Sequence, residues 1–463
     1  MLDKAGEIIT AVADTVCGYP LFILLIGGGL FLWLYSGMVS VRRIPEAMRE
    51  LTRKQSAGKG EISSAQALAS VVAATVGMGN IAGVAIALVM GGPGAIFWMW
   101  VSALVGMSTK YHEGVLAVKY RSYDAEGKPY GGPMHIIRHA LPRQWRPMAT
   151  LFAVAGMFGT LCIMNANQLT EATVSTIGSF TEISSPVLVK TLIGVSIASV
   201  VALVVVGGVK RIASVATVMV PFMVLAYFLI VTYIVLTNIS DVPGVIRSIF
   251  TEAFSLRAGW GALAGVAIIG ARRAALVNDA GIGTASIMHG TSSCREPVRE
   301  GLVAMLGPAI DSGFVCTLTA LAILLCGDIN VEGVKGLEVA MDGFGHAIPG
   351  GRYMLMAIVA CFALSSMFSY SFYGSRCATY LFGERGARLY IWFFIATLVV
   401  FAVVPLHAAV GLCDLFYALM AFPTMITLIL LRKDVKAESR RFFARKKTET
   451  NKNAENGKTF ATD

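Results

Sequence analysis

Charge is what this chain has least of. Asp, Glu, Lys and Arg make up 14% of its 463 residues, against 56% hydrophobic ones. An ordinary soluble domain carries about a quarter charged residues, so a sizeable one is excluded. Also missing are the arrangements that covalent chemistry needs. No nucleophile stands beside a base, no phosphate loop opens a helix, and no metal-hydrolase spacing occurs, so the chain is not expected to be an enzyme. The eight cysteines, such as Cys17, Cys162, Cys316, Cys361 and Cys413, fall mostly one at a time in apolar runs. Without CxxC or Cys/His spacing they support neither a disulfide framework nor a zinc site. Buried thiols acting as small apolar residues fit better. The net charge of +10 does not point to nucleic acid, because the basic residues sit in loops and a tail between apolar spans.

What is present is apolar length. Mean hydropathy is +0.69, and a spanning helix needs roughly 20 apolar residues. The pattern predicts spans at about Val16 to Val41, Ser64 to Met90, Ala95 to Val118, Met148 to Phe180, Pro186 to Val206 and Ile212 to Thr237. Further spans are predicted at Ala258 to Ala271, Gly301 to Leu325, Tyr353 to Leu381, Leu389 to Val404 and Ala408 to Leu431. The expected fold class is therefore an all-α polytopic membrane protein with eleven transmembrane helices. The first span is too long for a signal-peptide core and no small-residue cleavage site follows it, so it reads as an uncleaved helix.

An amino terminus outside places most Lys and Arg on the cytoplasmic side, as the positive-inside rule requires. Those loops begin near Arg42, Lys119, Lys210, Arg272 and Arg376, and a basic tail follows from Arg432; the exceptions are Lys4, Lys190, Arg247, Arg257, Lys335 and Arg352. A cell-membrane protein with a cytoplasmic carboxy terminus is expected. The tail, residues 432–463, is polar enough that disorder is the default.

The stretch from Val71 to Gly106 is apolar yet carries Gly77, Gly79, Asn80 and Gly83 inside a would-be spanning helix. Glycine costs about 1 kcal/mol there against alanine, and unwound backbone in a membrane must be buried in protein or face a water-filled cavity. Either neighbours rescue a poor helix or the helix is broken around a ligand. A second glycine-rich stretch, Arg257 to Gly265, opens the sixth of the ten helices that follow the first. Paired interruptions point to a transporter built from two inverted five-helix repeats with substrate at the midplane; glycines as packing surfaces are the plainer alternative. The division predicted is an extra helix in 1–42, repeats in 64–237 and 258–431, and the tail.

The segment GGPGAIFWMWVSALVG, Gly91 to Gly106, resembles the signature of the alanine/glycine:cation (sodium:alanine) symporter family. GNIAGVA before it, KYR at Lys119, GGPMHII from Gly131, GLVAMLGPAIDSGFVCTLTAL from Gly301 and FALSSMFSYSFYGSR from Phe362 fit the same family. The resemblance covers nearly the whole chain. It implies the amino-acid/polyamine/organocation type of fold, a five-plus-five inverted repeat with broken first and sixth core helices and one extra amino-terminal helix. Two departures bear on substrate more than class: Val277, Asp279 and Ser286 stand where the family usually has Ser, Glu and Pro, and Asn165-Ala-Asn167 replaces a Gln-x-Asn pair.

A zwitterionic amino acid wants backbone N–H groups for its carboxylate and free carbonyls for its ammonium, and a helix break after Thr75 supplies both. Gly77, Gly79 and Asn80 are predicted to cradle the carboxylate, with Gly261, Ala264 and Gly265 opposite. Asn165 and Asn167, two apart, cannot both face one way; one reaches the site and the other packs. Trp260 is either a wall limiting side-chain size or an interfacial anchor. For the coupling ion, sodium, the resemblance implies the carbonyls of Ala73, Val76 and Phe362 with the hydroxyls of Ser365 and Ser366. Adjacent serines can instead bond back to the preceding turn. Asp311 and Glu171 are acidic groups in apolar spans; Asp311 reads either as a coupling or gating carboxylate or as one paired with a polar neighbour. Asn278-Asp279 with Gly281 and Gly283 reads as a cytoplasmic turn. The expected function is sodium-coupled import of a small neutral amino acid, with no cofactor. The alternatives are glutamine or serine as cargo, protons as coupling ion, or, from another class, a channel or sensor.

Overall fold

Ser63 opens the helix around which the molecule is arranged. Its hydroxyl accepts from Gln66 N at 3.2 Å while Gln66 Oε1 accepts from Ser63 N at 2.9 Å, a reciprocal cap that fixes the helix start. Helix α3 runs from Ser64 to Thr75, and after a break its continuation α4 runs from Gly79 to Gly91, bent by 56°. The computed structural model describes residues 19–52, 62–124, 126–178, 180–181, 185–254, 260–326 and 337–459, without the side chains of 260–264, 272, 406–408, 410 and 449–459.

Before α3 come α1 (Tyr19–Tyr35) and the short amphipathic α2 (Ile44–Thr52). After α4 follow α5 (Gly94–Lys119), a two-residue antiparallel pair β1 (Ser122–Tyr123) and β2 (Pro129–Tyr130), and α6 (Pro133–Ala140). Next are α7 (Arg146–Gly159), α8 (Ile163–Gly178), α9 (Pro186–Val205), α10 (Gly208–Thr237) and α11 (Val242–Ala253). The second half holds α12 (Trp260–Val277), α13 (Thr284–His289), α14 (Pro297–Cys326), α15 (Leu337–Ala347), α16 (Gly351–Phe401), α17 (Leu406–Leu430) and α18 (Arg432–Thr459). α16 is two helices merged across a kink at Gly383, φ 72°.

Among the described residues six helices are long and apolar enough to cross a bilayer, or seven if α3 and α4 form one broken span. The chain is a mostly helical, multi-pass membrane protein. The sequence predicts eleven because it also counts α1, α5 and α12 and divides α16 into two spans on either side of its kink; the first predicted span begins at residues 16–18, outside the described ones. α5 is 26 residues long, but its second half carries Lys110, His112 and Glu113.

The packing puts α3 between α10 and α16, and α5 between α12 and α14. Small residues allow the close approaches. A Cβ on Gly29 of α1 would lie 2.6 Å from Val105 on α5, and one on Gly270 of α12 would lie 2.2 Å from the Ala95 carbonyl. One end is tied by a buried cluster: Glu300 takes hydrogen bonds from Ser64 and meets His289 Nδ1 at 2.6 Å, while Ser293 N donates to Ile62 O at 2.8 Å. These contacts join the starts of α3 and α14 to the end of α13.

Three expectations change here. Of the stretch Arg257 to Gly265 predicted to be interrupted, residues 257–259 lie outside the described ones and the rest is unbroken: α12 is helical from Trp260, and the chain leaves it at Asn278, after Val277. Residues 278–283 are a buried break, not a solvated turn, with Asp279, Gly281 and Gly283 at φ 53°, 87° and 97°. Asn278 shapes it by accepting from Ala280 N at 3.0 Å, the local turn that Asn favours. The tail differs too: 432–459 is helical. Val435 and Phe442, seven residues apart and so on one face, are buried, and Lys119 meets Glu438 at 3.1 Å.

Candidate functional site

The two breaks meet. Val277, the last residue of α12, packs on Gly79 and Gly83 at the opening turn of α4; a Cβ on Gly79 would lie 3.1 Å from its Cγ2. Beside them is a cavity of about 80 Å³, lined by Thr75, Gly77, Gly79 and Gly83 from the first break, Asn165 from α8, and Leu276 and Val277 from α12. Ser366 and Tyr370 of α16 and Asp414 and Tyr417 of α17 complete the wall with Met78, Met164, Arg273 and Cys413. One water needs about 10–15 Å³ by the same measure, so this space suits a small solute.

Next to the cavity four oxygens gather. Ser365 Oγ donates to Ala73 O at 3.0 Å and Phe362 O at 2.9 Å; Ser366 Oγ donates to the same carbonyls at 3.3 and 3.1 Å. Ala73 is in the last turn of α3, whose carbonyls have no helical partner ahead of them. Val76 ends that helix with ψ 90°, which turns its carbonyl away from the helical direction. Neutral hard oxygens of this kind suit an alkali cation. Among the described residues no three His, Cys, Asp or Glu side chains converge as metal ligands.

Asn80 does something other than line the cavity. It is fully buried, its Oδ1 accepts from Gly77 N at 2.9 Å, and its Nδ2 donates to Asp311 and, at 3.4 Å, to Cys316 Sγ. The side chain therefore holds the first break in shape and ties it to α14. Asn167 also turns away, donating to Val404 O at 2.5 Å, while Asn165 is the one at the cavity. Gly265 is eight residues, about 12 Å of helix, from the nearest α12 residue on the wall, Arg273. The side chains of Trp260, Gly261 and Ala264 lie outside the described residues. Glu171 is paired with Lys190 across α8 and α9.

The second break brings in residues the sequence reading missed. Tyr370, on the cavity wall, donates to Asp279, as does Thr284 Oγ1 at 3.1 Å. Gly281 N donates to Glu113 at 2.7 Å and Asn278 Nδ2 to Ser312 at 3.2 Å. Asp414 is a charged residue in an apolar span, the same signal that singled out Asp311, whereas Arg273 stands just past the predicted end of its span at Ala271. Tyr370 and Tyr417, stacked with centroids 6.4 Å apart, carried no signal separating them from core aromatics.

Two broken helices around a small, mostly apolar cavity with a few polar groups, and an oxygen cluster sharing one of the breaks, is the build of a secondary transporter. The profile of the sodium:alanine symporter family matches residues 2–456. The chain belongs to that family, whose members are transporters. It is 36% identical over 459 residues to the sodium/alanine symporter AgcS of Methanococcus maripaludis, covering 97% of this chain and 99% of the relative. It is 29% identical to the probable sodium/glutamine symporter GlnT of Bacillus subtilis, covering 93% and 89%. Among solved structures, MhsT in complex with L-phenylalanine shares the fold at TM-score 0.57 and 14% identity, covering 81% of this chain and 91% of that one.

Proposed function

We propose that this chain imports a small neutral amino acid, alanine or glycine, together with sodium across the cell membrane by alternating access. The observation that carries the reading is one helix break serving two sites. Thr75, Gly77 and Gly79 face the cavity, while the Ala73 carbonyl, in the last turn before the break, accepts from the Ser365 and Ser366 hydroxyls, which also donate to Phe362 O. Because Gly77 N–H is taken by Asn80, the substrate carboxylate falls to the N–H groups at the start of α4, where the helix end favours an anion. Asn165, Tyr370 and Tyr417 close the sides and limit the side chain. Sodium takes the Ala73, Val76 and Phe362 carbonyls with both serine hydroxyls. Each ligand orders part of the other's site, which is the physical form of coupling.

The same proposal includes eleven spans in a five-plus-five inverted repeat after one extra helix, the amino terminus outside and the tail cytoplasmic. The paired interruptions are then α3/α4 and α12/α13, with breaks at 76–78 and 278–283. The test is equilibrium binding of labelled alanine to the purified chain across a sodium series. Alanine binding should rise with sodium, and Ser365→Ala with Ser366→Ala should move that curve to higher sodium; a curve unaltered by both substitutions overturns the ion site.

A carrier of glutamine or serine is the second reading, favoured by the polar groups Asn165, Arg273 and Asp414 on the wall. Competition separates the two: alanine should displace labelled substrate at lower concentration than glutamine. Proton coupling would engage Asp311, so Asp311→Asn would abolish it while a sodium-driven carrier keeps part of its uptake.

A further inference from the structure

A second cavity lies away from the transport site, where α1, α5 and the tail helix α18 meet. It measures about 410 Å³ and is lined by Arg42, Arg43, Lys436 and Arg440 together with Tyr111 and Ser439. Four cations around one space, with no carboxylate in its wall, is an unbalanced arrangement. Arg43 has a partner in Glu46 at 2.6 Å and stacks over Phe443 at 4.0 Å. Arg42, Lys436 and Arg440 have no carboxylate partner among the described residues; Lys436 lies over the Tyr35 ring at 4.4 Å. Glu46, just outside, shows the local field. Burial pushes its carboxyl up, but the Arg43 hydrogen bond and the charges of Arg43 and Lys446 outweigh that and hold it below its usual value.

The surroundings fix the depth. The apolar helix α1 ends at Tyr35, and Trp33 donates to Ser40 Oγ at 2.8 Å; Trp and Tyr gather at the headgroup level of a membrane. Helix α2 buries Ala47 and Glu50 while Ile44 and Met48 stay exposed, the pattern of a helix lying in the interface. On α1 itself Leu30, Phe31 and Leu34 are exposed at 42%, 43% and 56%. An apolar track thus leads from the hydrocarbon down to the basic cavity.

We propose that this cavity binds the headgroup of an anionic phospholipid whose acyl chains lie along α1, so that the lipid fastens the tail helix to the transporter. The phosphate supplies the negative charge that the wall lacks, and basic pockets beside spanning helices are suited to such headgroups. The Tyr111 and Ser439 hydroxyls, 2.7 Å apart, offer polar contacts at its floor. Arg42 comes from the α1 side and Lys436 and Arg440 from α18, so one anion can join both.

The test is native mass spectrometry of the full chain taken from nanodiscs of phosphatidylethanolamine with one-fifth phosphatidylglycerol. The wild type should retain phosphatidylglycerol in preference to phosphatidylethanolamine. The double variant Arg42→Gln with Arg440→Gln should lower that retention at least tenfold, and Arg42→Lys with Arg440→Lys should restore most of it. Arg138→Gln with Arg143→Gln, which removes the same charge from another basic surface, should leave it unchanged. Equal loss in both Gln pairs means general attraction and overturns the site. So does a Gln pair at Arg42 and Arg440 that stays folded by thermal melting and retains the lipid as before. Retention of inorganic phosphate in place of phosphatidylglycerol overturns the lipid as its occupant.

Discussion

At Gly77 any side chain would strike Ser366 of α16. A Cβ there would sit 2.5 Å from Ser366 Oγ, the hydroxyl that donates to Ala73 O and Phe362 O. Gly77→Ala should therefore cost about 1–3 kcal/mol of stability as an overpacked contact and raise the sodium concentration for half-maximal uptake. Thermal melting and uptake against sodium check the two parts. Asn80 makes a contrasting prediction. Asn80→Leu leaves Gly77 N–H and the Asp311 carboxylate without a partner in the interior, at about 1–3 kcal/mol for each group. Its melting temperature should fall clearly even before substrate is added. Asn165→Ala, on the cavity wall, should leave melting nearly unchanged and weaken substrate binding. Equal losses of melting temperature in the two variants would contradict the division between a residue that shapes the break and one that meets the cargo.

At the scale of elements, the sequence made the first broken helix legible because Gly77, Gly79 and Gly83 stand in an otherwise apolar run. The second was misplaced for a physical reason. Glycines such as Gly265 and Gly270 stay helical, Gly270 because α12 must approach Ala95 closely, and the break comes where Asn278 and Asp279 precede Gly281 and Gly283. Those are turn residues, and a turn reads as a surface feature until burial is known. Asn80 and Asn165 were equally polar on paper; only packing shows that one clamps the break and the other lines the cavity. The tail helix escaped notice because Val435 and Phe442 are few apolar residues in a charged run, and only their burial beside the body that α18 meets at α5 and α14 gives them weight. The linking helix α6 gives a pH prediction. Burial and the nearby charges of His139, Arg138 and Arg376 push the His135 imidazole down to about 3. A base depressed in the folded state favours unfolding when protonated. Its contribution is present above the usual histidine value of 6.5 and fades as pH falls below it. Melting temperatures measured from pH 7 to pH 4.5 should fall less steeply in His135→Gln than in the wild type.

For the whole molecule, the proposed function has the fold join a solute cavity and a cation site through one interrupted helix, and a membrane voltage can act on that union. One positive charge moved through 100 mV is worth about 2.3 kcal/mol, a bit under two decades of solute concentration before any sodium gradient is added. Coupling, not mere passage, is thus the central claim. The most direct measurement is uptake of labelled alanine into proteoliposomes holding the purified chain, with an inward sodium gradient and with an equal potassium gradient. The account predicts saturable alanine accumulation above the external concentration with sodium, and only equilibration with potassium. Accumulation that ignores the sodium gradient, or flux that rises without saturating and never exceeds the external level, would contradict it.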